Sequence, residues 1–395
     1  MRRCTATIFV RRADGVTSRR VILLVNTDAF FVSHRLALGC MLRDAGYEVV
    51  VAASESGARR TIEREGLRFV PMPFEPGGRS PVTEARTIAA IRELYSRERP
   101  DIVHHVTIKP VLYGSVVARA LRVPAIVNAV SGLGYVFIDR AEPSVRHRAL
   151  QRGVLAAYRI ALGARRSRTI FQNPDDRDMF VARGLVRRER TALIPGSGVD
   201  LSRFVSTPLP EGAPVVVLPA RMLWDKGVGE LVEAARQLRA KHPTARFLLA
   251  GGAGSQNPAV VEEKQLLAWQ REGVIEWIGH QTDMPGLFSR AHVVVLPSYR
   301  EGSPLALAEA AASGRAAITT DVPGCRDVVR DGETGWLVPA RDAGALARAI
   351  DVALSDRVEL QRRGKNARAQ AEERFSIEAI LRATRDVYAG LFADE

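Results

Sequence analysis

The sequence predicts two doubly wound α/β domains in tandem, joined by a glycine- and proline-rich hinge. Three observations carry this. The 395 residues suit two domains at roughly 100–200 residues each, and each half is long enough to bury its own core. Short continuous apolar runs alternate with helical periodicity in both halves, as expected for strands of a parallel sheet covered on both faces. Pro195-Gly196-Ser197-Gly198-Val199-Asp200 interrupts this rhythm near the midpoint, after which it restarts.

Taken in order, Met1–Arg20 lies outside the pattern and reads as an extension, either disordered or a start-site artefact. Val21–Val25 is the first strand and ends at Asn26-Thr27-Asp28. A helix follows with Leu36, Met41, Leu42 and Ala45 on one face and Gly46 as its stop. Strands are expected at Val49–Ala53, Arg68–Met72, Ile102–His105, Ala125–Val130 and Thr169–Gln172, with helices between most of them, as at Glu84–Arg97. In the second half, Val215–Leu218 is a strand, and Val228–Leu238 is a helix with apolar residues at 228, 231, 232, 235 and 238. Phe247–Ala250, Val274–Ile278, Val293–Leu296 and Ala316–Thr319 are further strands, and Ile377–Phe392 is helical. The domains therefore span 21–195 and 200–375, and a cleft between them is the expected ligand site.

The formal charge is +13. Residues 1–200 hold 33 Lys and Arg against 19 Asp and Glu, whereas residues 201–395 hold 24 against 25. Such an excess suits polyanions, anionic membranes or phosphorylated substrates. Aromatic residues at 6%, with no nucleic-acid-binding motif, argue against nucleic acid as the partner. No apolar run reaches the ~18–20 residues of a membrane-spanning helix. The three cysteines, Cys4, Cys40 and Cys325, fit neither a disulfide framework nor metal-ligand spacing, so a reducing compartment is expected. The apolar stretch Thr5–Val10 is too short for a signal-peptide core. No phosphate loop of the G-x-x-x-x-G-K-[ST] type occurs, and Gly132-Leu133-Gly134 and Gly252-Ala253-Gly254 each lack the third glycine of a dinucleotide fingerprint.

Two stretches of the second half carry chemistry. Ser298-Tyr299-Arg300-Glu301-Gly302-Ser303-Pro304-Leu305 follows a buried strand and opens a helix. Ser303 suits an N-cap, Pro304 a first helical residue, and Gly302 the close approach of a ligand to backbone. The helix start is an anion site. Glu309 stands in a helix otherwise built of Leu and Ala, with Leu305 and Ser313 at i−4 and i+4, so no helical ion pair accounts for it. A carboxylate there can accept both hydroxyls of a ribose, and Glu301 can hold a sugar hydroxyl or face developing charge; each also reads as a solvated carboxylate. Arg221 and Lys226 bring two cations to a second helix start, where they oppose the dipole unless a diphosphate sits between them. In the first half, Arg146, Arg148, Arg152, Arg159, Arg165, Arg166 and Arg168 interleave with Leu150, Val154, Leu155, Tyr158 and Leu162. That pattern fits an anionic membrane surface or an ordinary half-buried helix.

At these residues the chain resembles the retaining glycosyltransferases of family four. Their two Glu separated by seven residues match Glu301 and Glu309, and their diphosphate-binding Arg and Lys match Arg221 and Lys226. Pro323-Gly324, Val328-Val329 and Gly332-Glu333-Thr334-Gly335 are also typical of them. In the first half, the runs from Asn26 to Arg35, His105 to Pro110, Gly132 to Phe137 and Phe171 to Asp176 are similar to a bacterial subgroup. That subgroup builds capsule, exopolysaccharide and lipid-linked glycans; Ala29 departs from its usual aromatic residue.

The resemblance implies the GT-B fold, two Rossmann-like domains facing across a cleft, with residues 376–395 as a C-terminal helix packing back on the first domain. It implies a nucleoside-diphosphate sugar as donor, a polyprenyl-linked or glycan acceptor, retention of configuration, and no metal or other cofactor. Catalysis falls to Arg221, Lys226 and Glu301; donor binding falls to Gly302, Ser303, Pro304, Leu305 and Glu309. On the acceptor side stand Lys109, His105, His34 and the loop of Gly132 and Gly134. His105 reads equally as a core histidine at a strand end, and His34 as a helix cap. The place implied is the cytoplasm, peripheral on the inner face of the bacterial plasma membrane. The alternative activity is a nucleotide-sugar-modifying enzyme of the same fold, such as a 2-epimerase.

Overall fold

The computed structural model describes residues 19–75, 80–133, 137, 145–164, 166–254, 257 and 259–391, with backbone alone for 145–147. The first sheet takes, in chain order, β1 (Arg20–Thr27), β2 (Glu48–Ser54), β3 (Arg68–Pro71), β4 (Ile102–Val106), β5 (Ala125–Val130), β6 (Ser167–Phe171) and β7 (Thr191–Leu193). The strands are parallel, in the spatial order β3-β2-β1-β4-β5-β6-β7. At the centre, Val21 of β1 faces Ile102 of β4 and Leu24 faces His105. Side chains alternate between faces along β1. Val21, Leu23 and Val25 pack with Phe31, Leu38 and Leu42 on one side, while Ile22 and Leu24 pack with Ile91, Leu94 and Tyr95 on the other. Helices cover both faces, which is why the strand sequences are continuously apolar.

The second sheet comprises β8 (Val215–Pro219), β9 (Arg246–Ala250), β10 (Glu276–Gly279), β11 (Val293–Leu296), β12 (Ala317–Thr320) and β13 (Gly335–Val338). It is parallel, in the order β10-β9-β8-β11-β12-β13. Its helix Val228–Leu238 buries Val228, Leu231, Val232, Ala235 and Leu238, the five positions that the spacing assigned to the core.

Several expectations shift. The Asn26-Thr27-Asp28 segment starts a helix at once: Thr27 caps Asp28–His34 by accepting from Phe30 N at 3.1 Å, and a second helix, Leu36–Asp44, follows. β10 begins at Glu276 rather than Val274. β7 and β13 were not expected from the sequence; each is only three or four residues long. The segment at the midpoint crosses between the sheets beside the returning chain, with Val199 N donating to Phe375 O and Ile377 N to Val199 O. The helix Ile377–Ala389 then packs on the first domain, where Ile380, Tyr388 and Leu391 join the core of Val21 and Leu23.

Candidate active site

In both sheets the winding reverses between two central strands, β1 and β4 in one, β8 and β11 in the other. Ligand crevices of doubly wound sheets open outside the strand C-termini at these points. Here the two crevices face each other and share a cavity of about 530 Å³. The first domain lines it with Asn26 from β1, Thr107 and Lys109 after β4, and Ser131 and Gly132 after β5. The second lines it with Arg221, Asp225 and Lys226 after β8, and Arg300, Glu301 and Gly302 after β11.

The loop after β8 is shaped by Gly227, at φ 72°, where a Cβ would overlap Pro297 O. This close approach brings the turn Trp224–Lys226 against the end of β11. Lys226 Nζ pairs with Glu301 Oε1, which also accepts from Ser298 Oγ at 2.8 Å. Arg221 is exposed on the cavity and forms no ion pair among the described residues. Asp225 Oδ1 is buried without a partner among the described residues, and burial pushes its carboxyl above the usual range while Lys226 opposes the shift.

The loop after β11 also joins the domains. Asn173 Nδ2 donates to Gly302 O at 2.8 Å, and Arg300 pairs with buried Asp176. Burial pushes the Asp176 carboxyl up and Arg300 pulls it down. A Cβ on Gly302 would stand 2.8 Å from Gly132 N, so two glycine backbones make the contact. Asn173 also caps the helix Pro174–Ala182 by accepting from Asp176 N at 2.8 Å, while the Asp176 side chain, in the first turn of that helix, serves the domain contact.

The structure thus brings Arg221, Lys226, Glu301, Gly302, Lys109 and Gly132 to one cavity. Ser303, Pro304 and Leu305 adjoin it, but the cap is shifted: the helix is Leu305–Ala312, Pro304 holds the N-cap position and Ser303 makes no cap bond. Ser303 instead lies against Gly196 of the hinge. Glu309 stands in the second turn of this helix. Burial raises its carboxyl to about 7 against a weaker opposing pull from Arg203, and it has no hydrogen-bond partner among the described residues. Lys109 lines the cavity while paired with Glu84 at 2.6 Å and donating to Glu75 O at 2.8 Å.

Two acceptor-side residues stand elsewhere. His105 is fully buried, with Nε2 2.9 Å from Tyr95 Oη and Nδ1 2.8 Å from Asn128 Oδ1; burial lowers its pKa to about 4. It is a core histidine and reaches no substrate. His34 ends its helix rather than opening it, stacks on Phe30 at 4.2 Å, and lines a separate small cavity near the hinge. Gly134 lies outside the described residues, as do Met1–Ser18, Arg165 and the Arg146 side chain. In the helix Val145–Leu162, Tyr158 and Leu162 are buried, whereas Leu150 and Ile160 are 47% and 57% exposed.

Sequence reasoning missed the neutral side of the cavity. Asn26 Oδ1, Thr107 Oγ1 and Ser131 Oγ are buried and have no partner among the described residues. Thr107 also holds φ 76°, costly for a β-branched residue and characteristic of functional sites. The only sequence signal was their place at strand ends. Among the described residues, no three His, Cys, Asp or Glu side chains converge as metal ligands.

Comparison with known proteins agrees with this geometry. Residues 202–370 match the model of "Glycosyl transferases group 1", and residues 20–173 match "Glycosyl transferase 4-like". An N,N'-diacetylbacillosaminyl-diphospho-undecaprenol alpha-1,3-N-acetylgalactosaminyltransferase of Campylobacter jejuni is 24% identical over 89% of this chain and 94% of its own length. A UDP-Gal:alpha-D-GlcNAc-diphosphoundecaprenol alpha-1,3-galactosyltransferase of Escherichia coli is 22% identical over 90% and 92%. The solved sucrose-phosphate synthase of Thermosynechococcus elongatus superposes with a TM-score of 0.77 at 23% identity, covering 95% of this chain and 100% of that one. With two facing Rossmann-like domains, each matching its half of one enzyme class, the chain belongs to the GT-B glycosyltransferases of family four and is a glycosyltransferase.

Proposed function

We propose that the chain transfers a hexosyl or N-acetylhexosaminyl group from a nucleoside-diphosphate sugar to a hydroxyl of a polyprenyl-diphosphate-linked glycan, with retention, in surface-polysaccharide or glycoconjugate assembly. The observation that carries this reading is the meeting of Arg221 and Lys226 with Glu301 and Gly302 at the switch point of the second sheet, facing that of the first. The bond from the anomeric carbon to the diphosphate breaks as the acceptor oxygen bonds that carbon, and the acceptor hydroxyl proton passes to the departing diphosphate. Negative charge grows on the departing diphosphate, where Arg221, Lys226 and the free N–H groups opening the helix Leu305–Ala312 stabilise it. These fixed positive groups take the part of a metal ion. Glu301 orients the donor sugar, and Glu309 accepts from the ribose hydroxyls. Asn26, Thr107, Ser131 and Lys109 hold the acceptor. The names of the two bacterial relatives, both acting on undecaprenol-linked glycans, support that acceptor class.

The test is incubation with a panel of nucleoside-diphosphate sugars and a polyprenyl-diphosphate glycan, read by product mass. Acceptor mass should rise by one sugar, and EDTA should leave the rate unchanged. Epimerised donor sugar without acceptor product would overturn the transferase reading. Loss of activity in EDTA restored by Mg²⁺ would overturn metal independence. The reading places the enzyme at the cytoplasmic face of the plasma membrane, supported by Leu150 and Ile160, exposed on an arginine-rich helix. Sedimentation with anionic vesicles should weaken in salt; no binding at low salt would remove this element.

A further inference from the structure

A second cavity lies where the hinge passes over the first domain, apart from the cleft. Arg35, 8% exposed, contributes its guanidinium to the wall. Among the described residues no carboxylate pairs with it. Its Nη1 donates to His34 O and to Ser197 Oγ, both at 3.2 Å, and its Nε has no partner. The other deeply buried arginine among the described residues is handled differently. Arg315, 1% exposed, donates to Phe288 O, Thr207 O, Thr207 Oγ1, Pro208 O and Ser289 O at 2.6–3.1 Å. Buried cations are ordinarily compensated, by carboxylates or by such a cage of oxygens. Arg35 has neither.

The same wall holds a second orphan. His104, 1% exposed, meets the Tyr388 hydroxyl at Nδ1, 2.9 Å away, and its Nε2 is buried without a partner. Burial and the neighbouring Arg35 keep this ring neutral. In the tautomer in which the Tyr388 hydroxyl donates to Nδ1, Nε2 carries the ring proton, and no group among the described residues accepts it. His34, on the same cavity, is held neutral in the same way. The cavity measures about 20 Å³, space for one water-sized guest, and its remaining lining is mostly apolar, with Leu38, Ile170, Ile194 and Ile380.

We propose that this cavity is a site for one halide-sized anion, chloride under ordinary conditions, held by Arg35 and the Nε2–H of His104. The charge of Arg35 selects an anion over water, and the size of the cavity excludes phosphate and sulfate. Because Arg35 also holds Ser197, the bound ion stiffens the hinge between the domains.

The test is thermal unfolding of the full chain in sodium chloride, bromide and gluconate at equal ionic strength. Chloride and bromide should raise Tm saturably by about 1–3 °C over gluconate. Crystals grown in bromide should show an anomalous peak beside Arg35 and His104. Arg35→Met should abolish the halide effect. His104→Phe retains Arg35 and the ring volume, so it keeps the idea testable if Arg35→Met does not fold; it should weaken the effect. Equal Tm in all three salts with no bromide peak would refute the site. A halide effect surviving both variants would place the ion elsewhere and refute it equally.

Discussion

The two sheets follow the same winding, yet the edges they present to the cleft differ in kind. The second domain offers charge: Arg221, Lys226, Asp225, Arg300 and Glu301. The first offers mostly neutral oxygen, Asn26, Thr107 and Ser131, beside a single lysine. The bulk charge runs the other way, because the basic excess belongs to residues 1–200. Among the described residues, Arg148, Arg152 and Arg159 of the helix Val145–Leu162 do not line the cavity. Net charge therefore says little about where ionic chemistry occurs. A diphosphate needs a few fixed cations, and a sugar acceptor needs neutral donors and acceptors that bind hydroxyls without competing for the leaving group's charge.

The largest test of this contrast is on the charged edge. Lys226→Ala should cut kcat by ~10²-fold or more, the scale of losing one fixed electrostatic stabiliser; single-turnover rates near wild type would remove Lys226 from the chemistry. Glu309→Gln should separate binding from stability. The folded carboxyl titrates near 7 against an ordinary value of 4.5, so the native state binds its proton more tightly and stability falls as pH rises between those values. The glutamine variant escapes this loss. It should gain up to about 3 kcal/mol above pH 7 and nothing below pH 4.5, while binding nucleotide more weakly; calorimetry across pH checks both. A Tm difference independent of pH would contradict the buried-carboxylate account.

On the first domain, His105→Leu leaves Asn128 and the Tyr95 hydroxyl short of a partner. It should cost about 1–3 kcal/mol of stability with turnover per folded molecule unchanged; a selective fall in kcat would return His105 to the site. Smallest is the neutral edge. Ser131→Ala or Asn26→Ala should raise acceptor KM about 3–10-fold, the worth of one neutral hydrogen bond, and leave donor affinity alone. A rise in donor Kd instead would mean the contrast between the edges is drawn in the wrong place.

Legibility in the sequence followed the physics of burial. β11 and the helix Val228–Leu238 were read to the residue because both are defined by apolar pattern. β7 is a short, half-exposed edge strand and leaves no such pattern. On the charged edge, Arg221 and Lys226 stood out because cations beside a helix start oppose its dipole without an anionic ligand, and Glu301 through its spacing to Glu309 beside Gly302-Ser303-Pro304. Thr107 did not, since its cost lies in a backbone angle that composition does not reveal. The Arg300–Asp176 pair spans more than a hundred residues, and only the fold brings the two side chains together. For His105 the sequence left two readings open, acceptor contact and core histidine, because it does not show that Asn128, Tyr95 and Ser115 surround the ring; the structure supports the second.

The Gly132–Gly302 contact bears on how freely such halves can be recombined. The loop after β11, to which we assign donor binding, also carries the contact surface for the partner domain, through Gly302, Arg300 and the carbonyl that accepts from Asn173. A donor half grafted onto a foreign acceptor half would need a residue without a side chain opposite Gly302, a buried acid for Arg300 and an amide for that carbonyl. Sugar specificity and acceptor specificity are thus separate in chemistry but share one joint, and a chimera that ignores the joint would fail at assembly before either specificity could be measured.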